Sequence, residues 1–333
     1  MKPGAYLGLD IGGQSIKGFR LEEGGEVSLR ASRPTPAGGA AAVLEATRTV
    51  VGALLEPGPV AAVGVGTPGA VDSAGRVAAE AVNIPGWRGT ALGEAVAAAA
   101  GAPAFVRNDG NLAAYAEWAA RGGEARALLF VGLGTGIGGG FVEEGRILAG
   151  IDDRAVEIGH VVVRPGGRTC ACGRNGCVEA YASGPSIGRI AAELARERDT
   201  PLARAIRETG GRADARLVYE HFARGDGLAR EVHGIAAEAL ALAVAASLAL
   251  LAPDRVVLGG GVLAGAGALV EDVAALVPRY VYDAAHRDCR FEAALLGPEA
   301  GLLGAALYGA GAVLPRGELM ALSALAARGL GRP

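Results

Sequence analysis

The stretch Leu7-Gly8-Leu9-Asp10-Ile11-Gly12-Gly13 reads as an apolar β-run that ends in a carboxylate and a double glycine, and Val131–Gly138 (VGLGTGIG) uses the same device again. Around the first copy, Tyr6–Ile11 and Ile16–Leu21 read as strands, and Glu26–Ala31 follows the polar Glu22-Glu23-Gly24-Gly25. Those are two hairpin signals. Around the second copy stand the apolar runs Ala127–Leu133 and Phe141–Val142. Strand, glycine turn, strand, used twice, predicts an internal duplication with two similar domains facing one cleft.

Outward from these turns, strands and helices alternate. Ala40–Leu55, Thr90–Ala100, Asn111–Arg121, Ile187–Arg198, Leu228–Leu251 and Gly301–Val313 have helical spacing. Val60–Gly66 is an apolar strand running into the turn Thr67-Pro68-Gly69. Ala104–Val106 is a short strand ending at Arg107-Asn108-Asp109, and Arg255–Leu258 ends in Gly259-Gly260-Gly261. The residues from Leu314 read as a helical tail without a site signal. An antiparallel opening followed by alternation predicts an α/β fold with mixed sheets. No long linker separates the halves, so a hinge is expected rather than a tether.

With 333 residues, 51% hydrophobic and 20% charged, the chain can bury a sizeable core, and wholesale disorder is excluded. A net charge of −3 offers no basic excess for nucleic acid or anionic lipid. The 55 glycines have no G-X-Y period, and four cysteines are too few for a disulfide scaffold. Met1-Lys2-Pro3-Gly4 is too short for a signal peptide. The most apolar stretch, Ala239–Ala252 between Glu238 and Pro253, falls short of a membrane span and reads as a buried helix. A soluble cytoplasmic protein, with no nucleic-acid or membrane partner, is expected.

Glycine turns expose backbone N–H groups that can wrap a phosphate. Gly12-Gly13, Gly134–Gly140 and Gly259–Gly261 are the candidates. None is a Walker A loop, and Gly134–Gly139 leads into a strand instead of the helix a dinucleotide fingerprint requires. One such turn serves a tight hairpin equally well; three, each ending an apolar strand, point to a nucleotide site. Asp10, just before Gly12, could hold a Mg²⁺-bound water near terminal phosphates, or cap its own turn. Lys17 could serve the phosphates, or be a solvated strand lysine.

His160, Cys170, Cys172 and Cys177 supply one imidazole and three thiolates, the donor set of a tetrahedral Zn²⁺. The loop between them (Arg164-Pro165-Gly166-Gly167-Arg168) has few apolar residues, so a metal would give it stability that packing cannot. A disulfide is disfavoured by compartment. With four protein ligands the zinc would be structural. Cys289 is isolated and reads as a buried apolar residue. Asp109 falls at a helix N-terminus, where it could be a general base toward a hydroxyl; taken alone it reads as an N-cap. Glu157 and Glu179 flank the His–Cys loop, and Asn83 lies in the turn Asn83-Ile84-Pro85-Gly86-Trp87. Amides and carboxylates converging on one pocket suit a polyol.

Together these residues resemble the ROK family of repressors, open reading frames and sugar kinases, from Tyr6 to about Ala312. The resemblance rests on LDIGGQSIKG (Leu9–Gly18), GVGTPGAVD (Gly64–Asp72), NIPGW (Asn83–Trp87), NDGN (Asn108–Asn111), LGTGIGGG (Leu133–Gly140), EIGH (Glu157–His160), CACGRNGCVE (Cys170–Glu179) and LGGG (Leu258–Gly261). It implies an actin-like ATPase (ribonuclease H-like) fold whose two domains close over ATP and a sugar: residues 1–112 with 298–333 as a small α/β domain, and 113–297 as a larger one with the zinc loop. It implies Asp109 as catalytic base. Gly69, Asn83, Asn108, Glu157, His160 and Glu179 become hexose contacts, with His160 touching sugar and zinc through its two ring nitrogens. Gly12, Gly13, Thr135, Gly136 and Gly260 become contacts to ATP, beside the Asp10 and Lys17 already read as candidates for Mg²⁺ and the phosphates. Gln14 stands where the family usually has Thr. The implied reaction is phosphorylation of a hexose 6-hydroxyl, glucose first, with fructose, mannose or an N-acetylhexosamine as alternatives, in a homodimer or homotetramer. A repressor of this family carries a helix-turn-helix ahead of the kinase-like part; a first strand at Tyr6 and a negative charge argue against that reading. An intact Asp109 argues against an inactive sugar sensor.

Overall fold

The computed structural model describes residues 4–79 and 84–329. Its first apolar run forms β1 (Ala5–Ile11), which turns back as β2 (Ser15–Glu22) and again as β3 (Val27–Pro34). The antiparallel register sets Asp10 opposite Lys17 and Ile11 opposite Ile16. Helix α1 (Gly39–Leu54) leads to β4 (Ala62–Thr67), which lies parallel to β1. Helix α2 (Leu92–Ala100) leads to β5 (Ala104–Asn108), parallel to β4 with Thr67 beside Asn108. Helix α3 (Asp109–Ala120) follows directly.

The second half repeats this plan. β6 (Ala127–Leu133), β7 (Ile137–Glu143) and the short β8 (Arg146–Ile147) come first. A long excursion follows through α4 (Glu179–Ala182), α5 (Gly184–Leu194), α6 (Pro201–Glu208), α7 (Ala215–Ala223) and α8 (Gly227–Leu251). Then come β9 (Arg255–Gly259), α9 (Ala268–Leu276), α10 (Asp283–His286), β10 (Arg290–Ala293), α11 (Ala300–Gly311) and α12 (Arg316–Gly329). The sheets are ordered β3-β2-β1-β4-β5 and β10-β9-β6-β7-β8. Taken from its β8 edge, the second sheet reproduces the first, so the repeat suggested by two glycine turns extends to whole-sheet topology.

The chain divides into two compact units. The first contains Met1–Leu128, Gly140–Val156 and Leu295–Pro333. Its core packs β1 and β4 against α1 and α2, through Leu7, Leu9, Val63, Val65, Val51 and Trp87. Helix α11 covers the other face of β1 and β4 and packs on α3. The second unit contains Leu129–Gly139 and Glu157–Ala294. Its centre is α8, apolar on most sides and packed by α4, α5, α7 and α9. Helix α8 is long and apolar enough to cross a membrane, but 56% of its apolar window is buried against these neighbours, which marks a core helix.

Helix α3 is nearly all buried, and it carries an acid with no exposure at all, Glu117. That carboxylate accepts N–H bonds from Leu295 and Leu296, both at 2.9 Å, and pairs with the buried Arg121 guanidinium one turn on. It thereby fastens the point where the chain re-enters the first unit. Removing one partner of a buried pair leaves a stranded charge and two unmet donors. Glu117→Ala is expected to lower the unfolding free energy by about 3–5 kcal/mol. Trp87 and Trp118, the chain's two tryptophans, both belong to this unit, so urea titration followed by tryptophan fluorescence reads the effect there.

Candidate active site

In the first unit, the junction between β5 and α3 is built from hydrogen bonds around Asn108. Its Oδ1 accepts from the N–H groups of Gly110 (2.9 Å) and Asn111 (3.3 Å), so Asn108 is the N-cap of α3. Its Nδ2 donates to the Gly69 carbonyl at 3.2 Å, leaving one amide hydrogen for another acceptor. Asp109 is therefore the first residue of the helix, not its cap. Its Oδ1 accepts from the Gly110 N–H at 2.9 Å. The carboxylate is open to solvent on one side and crowded by protein on the others. That crowding raises its pKa above the ordinary Asp value, while the backbone N–H of Gly110 pulls it down.

The N–H of Asn108 donates to Asp153 Oδ2 at 2.9 Å. Asp153 is buried and pairs through Oδ1 with Arg107 at 3.0 Å, and Arg107 donates to the Tyr308 hydroxyl at 2.8 Å. Asp152 and Asp153 both have positive φ, 54° and 56°. This strained turn brings the second acid onto the junction.

The β1–β2 turn lies in the same unit. The Gly12 N–H bonds the Ser15 carbonyl at 2.9 Å. Thr35 clamps the turn from β3's end, its hydroxyl on the Gly12 carbonyl (2.6 Å) and its N–H on the Gln14 carbonyl (3.0 Å). Gly13 and an exposed Gln14 form the tip. Asp10 stands at the end of β1 with Lys17 across from it. Burial and the nearby charge of Asp109 push the Asp10 pKa up to about 6, against a smaller downward pull from Lys17. Two carboxylates near each other in a partly desolvated place make a site for a cation or a proton.

In the second unit, the turn after β6 is closed by the Gly134 N–H on the Gly136 carbonyl (2.9 Å) and anchored by the Gly184 N–H on the Gly134 carbonyl (2.9 Å). Gly134 and Thr135 line a cavity of about 1020 Å³, with Gly184, Tyr219, Gly261 and Val262 on its other walls. Gly260 has a φ of 94° beside the backbone of Leu133, a conformation that suits glycine. A cavity of this size, bordered by glycine-turn amides, can hold a nucleoside phosphate.

The His–Cys cluster also belongs to the second unit. Ligand atoms of His160, Cys170, Cys172 and Cys177 all lie within 4.8 Å of one another. Cys172 Sγ is 3.7 Å from Cys177 Sγ, and Cys170 Sγ is 3.8 Å from His160 Nδ1. A tetrahedron with arms of about 2.3 Å has edges of about 3.8 Å, so these four donors fit Zn²⁺. His160 presents Nδ1 to the thiols, which leaves Nε2 for another partner. Glu157 is exposed at the start of the one-turn helix that ends at His160. Glu179 accepts from the Ile137 N–H through Oε2 at 2.9 Å and from the Cys170 thiol through Oε1 at 3.4 Å.

Of the residues expected to make a site, Asp10, Gly12, Gly13, Lys17, Gly69, Asn108 and Asp109 fall in the first unit; Thr135, Gly136, Glu157, His160, Cys170, Cys172, Cys177, Glu179 and Gly260 fall in the second. Asn83 lies outside the described residues. Sequence reading missed Asp153, one of two adjacent acids with nothing local to say which is buried. It also missed Thr35, and α7, which supplies Tyr219 to the cavity wall.

The ROK family model matches residues 6–310. A glucokinase of Halalkalibacterium halodurans is 33% identical over 309 residues, covering 90% of this chain and 93% of that one. An N-acetylmannosamine kinase of Escherichia coli is 33% identical over 311 residues, covering 92% and 98%. The crystal structure of a ROK family glucokinase from Streptomyces griseus, in complex with glucose and AMPPNP, superposes with a TM-score of 0.75 at 30% identity, covering 92% and 99%.

A raised carboxyl pKa fixes a sign. The folded state holds the Asp10 proton more tightly than the unfolded chain does, so this group favours folding below about pH 4. Its contribution is lost as the pH rises from about 4 to about 6. Asp10→Asn removes that loss. Its unfolding free energy, from urea titration, should gain on the wild type between pH 4 and pH 6, by at most about 3 kcal/mol, and hold a constant lead above.

Proposed function

The chain belongs to the ROK family, and from that membership and the geometry above we propose that it transfers the γ-phosphoryl group of Mg·ATP to the 6-hydroxyl of glucose. It is a sugar kinase with the actin-like ATPase α/β fold. The observation that carries the reaction is Asp109 at the first position of α3, relieved of capping by Asn108, with a pKa raised toward that of a working base. Glucose leads as acceptor because the Halalkalibacterium relative is a glucokinase and the Streptomyces structure holds glucose. N-acetylmannosamine is the second reading, because the Escherichia relative is as similar.

In the proposed mechanism Asp109 accepts the proton of the 6-hydroxyl as that oxygen attacks the γ-phosphorus in line. Asn108 is held by Gly69 and Asp153 and can turn its remaining amide hydrogen to a sugar oxygen. His160 Nε2 and the carboxylates of Glu157 and Glu179 supply further partners for sugar hydroxyls. Backbone amides of the Gly12-Gly13 and Thr135-Gly136 turns face negative charge on the donor. Asp10 and Lys17 serve the phosphates, Asp10 as an oxygen ligand toward Mg²⁺ or its water. Magnesium neutralises charge on the transferring group when bound. Zinc, held by His160, Cys170, Cys172 and Cys177, would fix the loop that carries Glu157 and Glu179 without taking part in the chemistry. A set of ligating thiolates suits a reducing compartment, and we place the protein in the cytoplasm.

Asp109→Asn is expected to lower kcat by about 10²–10⁴-fold with the thermal midpoint almost unmoved; a near-normal kcat would remove the base from the mechanism. A panel of glucose, mannose, fructose, N-acetylglucosamine and N-acetylmannosamine with coupled ADP detection orders the acceptors by kcat/KM. Glucose should rank first, and a first place for N-acetylmannosamine would replace it. Cys172→Ser should lose bound zinc, measured by atomic absorption, and raise the KM for hexose together.

A further inference from the structure

Residue 137 is gripped from two sides. Its N–H donates to Glu179 Oε2 at 2.9 Å. On its carbonyl side, Gly159 comes so near that an added Cβ would lie 2.0 Å from the Ile137 oxygen. Glu179 comes two residues after Cys177, and Gly159 immediately precedes His160. Both arms of the metal loop therefore close on one residue of the glycine turn. The carboxylate also fills the space over Gly136, where a Cβ would stand 2.6 Å from Oε2. Its other oxygen faces the Cys170 thiol at 3.4 Å. From Ile137 the turn runs back to Gly134 and Thr135, which border the cavity. All of these residues lie in the second unit.

We propose that Glu179 is a positioning residue that couples metal occupancy of the His–Cys loop to nucleotide affinity at the Gly134–Gly136 turn. The inference rests on the reading above, that zinc occupies the cluster and a nucleotide the cavity. A loop with few apolar contacts is ordered by its metal. The ordered loop fixes Glu179 and Gly159, which fix residue 137 and hence the amides of the turn. Pre-orienting those amides lowers the ordering cost of binding a phosphate chain. Coupling between two ligands is reciprocal, so a nucleotide must tighten the metal by the same factor. Glu179 has lone pairs to spare, since a carboxylate offers about four acceptor positions, and a sugar hydroxyl can share it.

The test is calorimetric titration of Mg·AMP-PNP into the full-length chain without sugar, zinc-loaded and after removal of zinc by a chelator. The wild type should bind the analogue about tenfold more weakly without zinc. Glu179→Ala removes the acceptor of the Ile137 N–H. Still holding one zinc per chain, it should already bind about tenfold more weakly and lose little more on stripping. A variant that merely misfolds would lose its zinc as well. A second measurement needs no variant: withdrawing zinc from the wild type with a competing chelator should take about ten times more chelator when AMP-PNP is present. Wild-type affinities for zinc and AMP-PNP that ignore each other overturn the coupling alone. So does a zinc-loaded Glu179→Ala with wild-type affinity. A wild type that binds neither zinc nor AMP-PNP overturns the proposed function, and this inference with it.

Discussion

Asn108 caps α3, and that single side chain decides what its neighbour can be. A carboxylate at a helix start is normally drawn onto the free backbone N–H groups there, where it is stabilised and chemically idle. With the cap supplied one residue earlier, Asp109 keeps only one backbone bond. The cap in turn depends on its own backbone, which Asp153 holds. Asp153 is kept charged-paired by Arg107, and Arg107 is steadied by Tyr308. The whole chain of contacts belongs to the first unit. Its cost is two consecutive acids in left-handed backbone, a conformation Asp tolerates better than most residues.

The chemistry is divided by type. The first unit holds two neighbouring acids, Asp109 and Asp10, in a setting that raises both pKa values. The second holds neutral backbone donors around a cavity and a loop whose order is suited to a metal. The division follows from strand ends. Asp10 is the penultimate residue of β1 and Asp109 directly follows β5, while Gly134 directly follows β6 and Gly259 ends β9. In an α/β fold the ends of central strands are where ligands meet the sheet.

Much of this was legible in the sequence because glycines punctuate it. The strand runs at Tyr6, Ile16 and Ala127 were placed to within a residue or two, and the apolar run near Ala239 is indeed a core helix. The four candidate metal ligands, His160, Cys170, Cys172 and Cys177, were readable from residue type and spacing and come together in space. What was not readable depended on tertiary context. α6 and α7 are amphipathic and are capped by Thr200 and Asp214 in the expected way, but with eight and nine residues each spans only about two turns, too few for a period to stand out along the chain. β10 has only four residues and follows no turn signal. Glu117 looks like any helical acid until Leu295 and Leu296, far along the chain, turn their N–H groups on it. Asp109 read as an N-cap when taken by itself, and the cap proved to be the residue before it.

The two sheets share one strand order, yet the step from third to fourth strand differs greatly between them. In the first half it is a single helix of 16 residues, α1. In the second it runs from 148 to 254 and contains the metal loop, α7 and α8. Lengthening a connection costs little free energy once its ends are fixed, and this one leaves every strand pairing intact. That connection carries Glu157, His160 and Glu179 together with the cavity-wall residues Gly184 and Tyr219, so evolution could rewrite these positions while the β5–α3 junction of the first unit stayed unaltered.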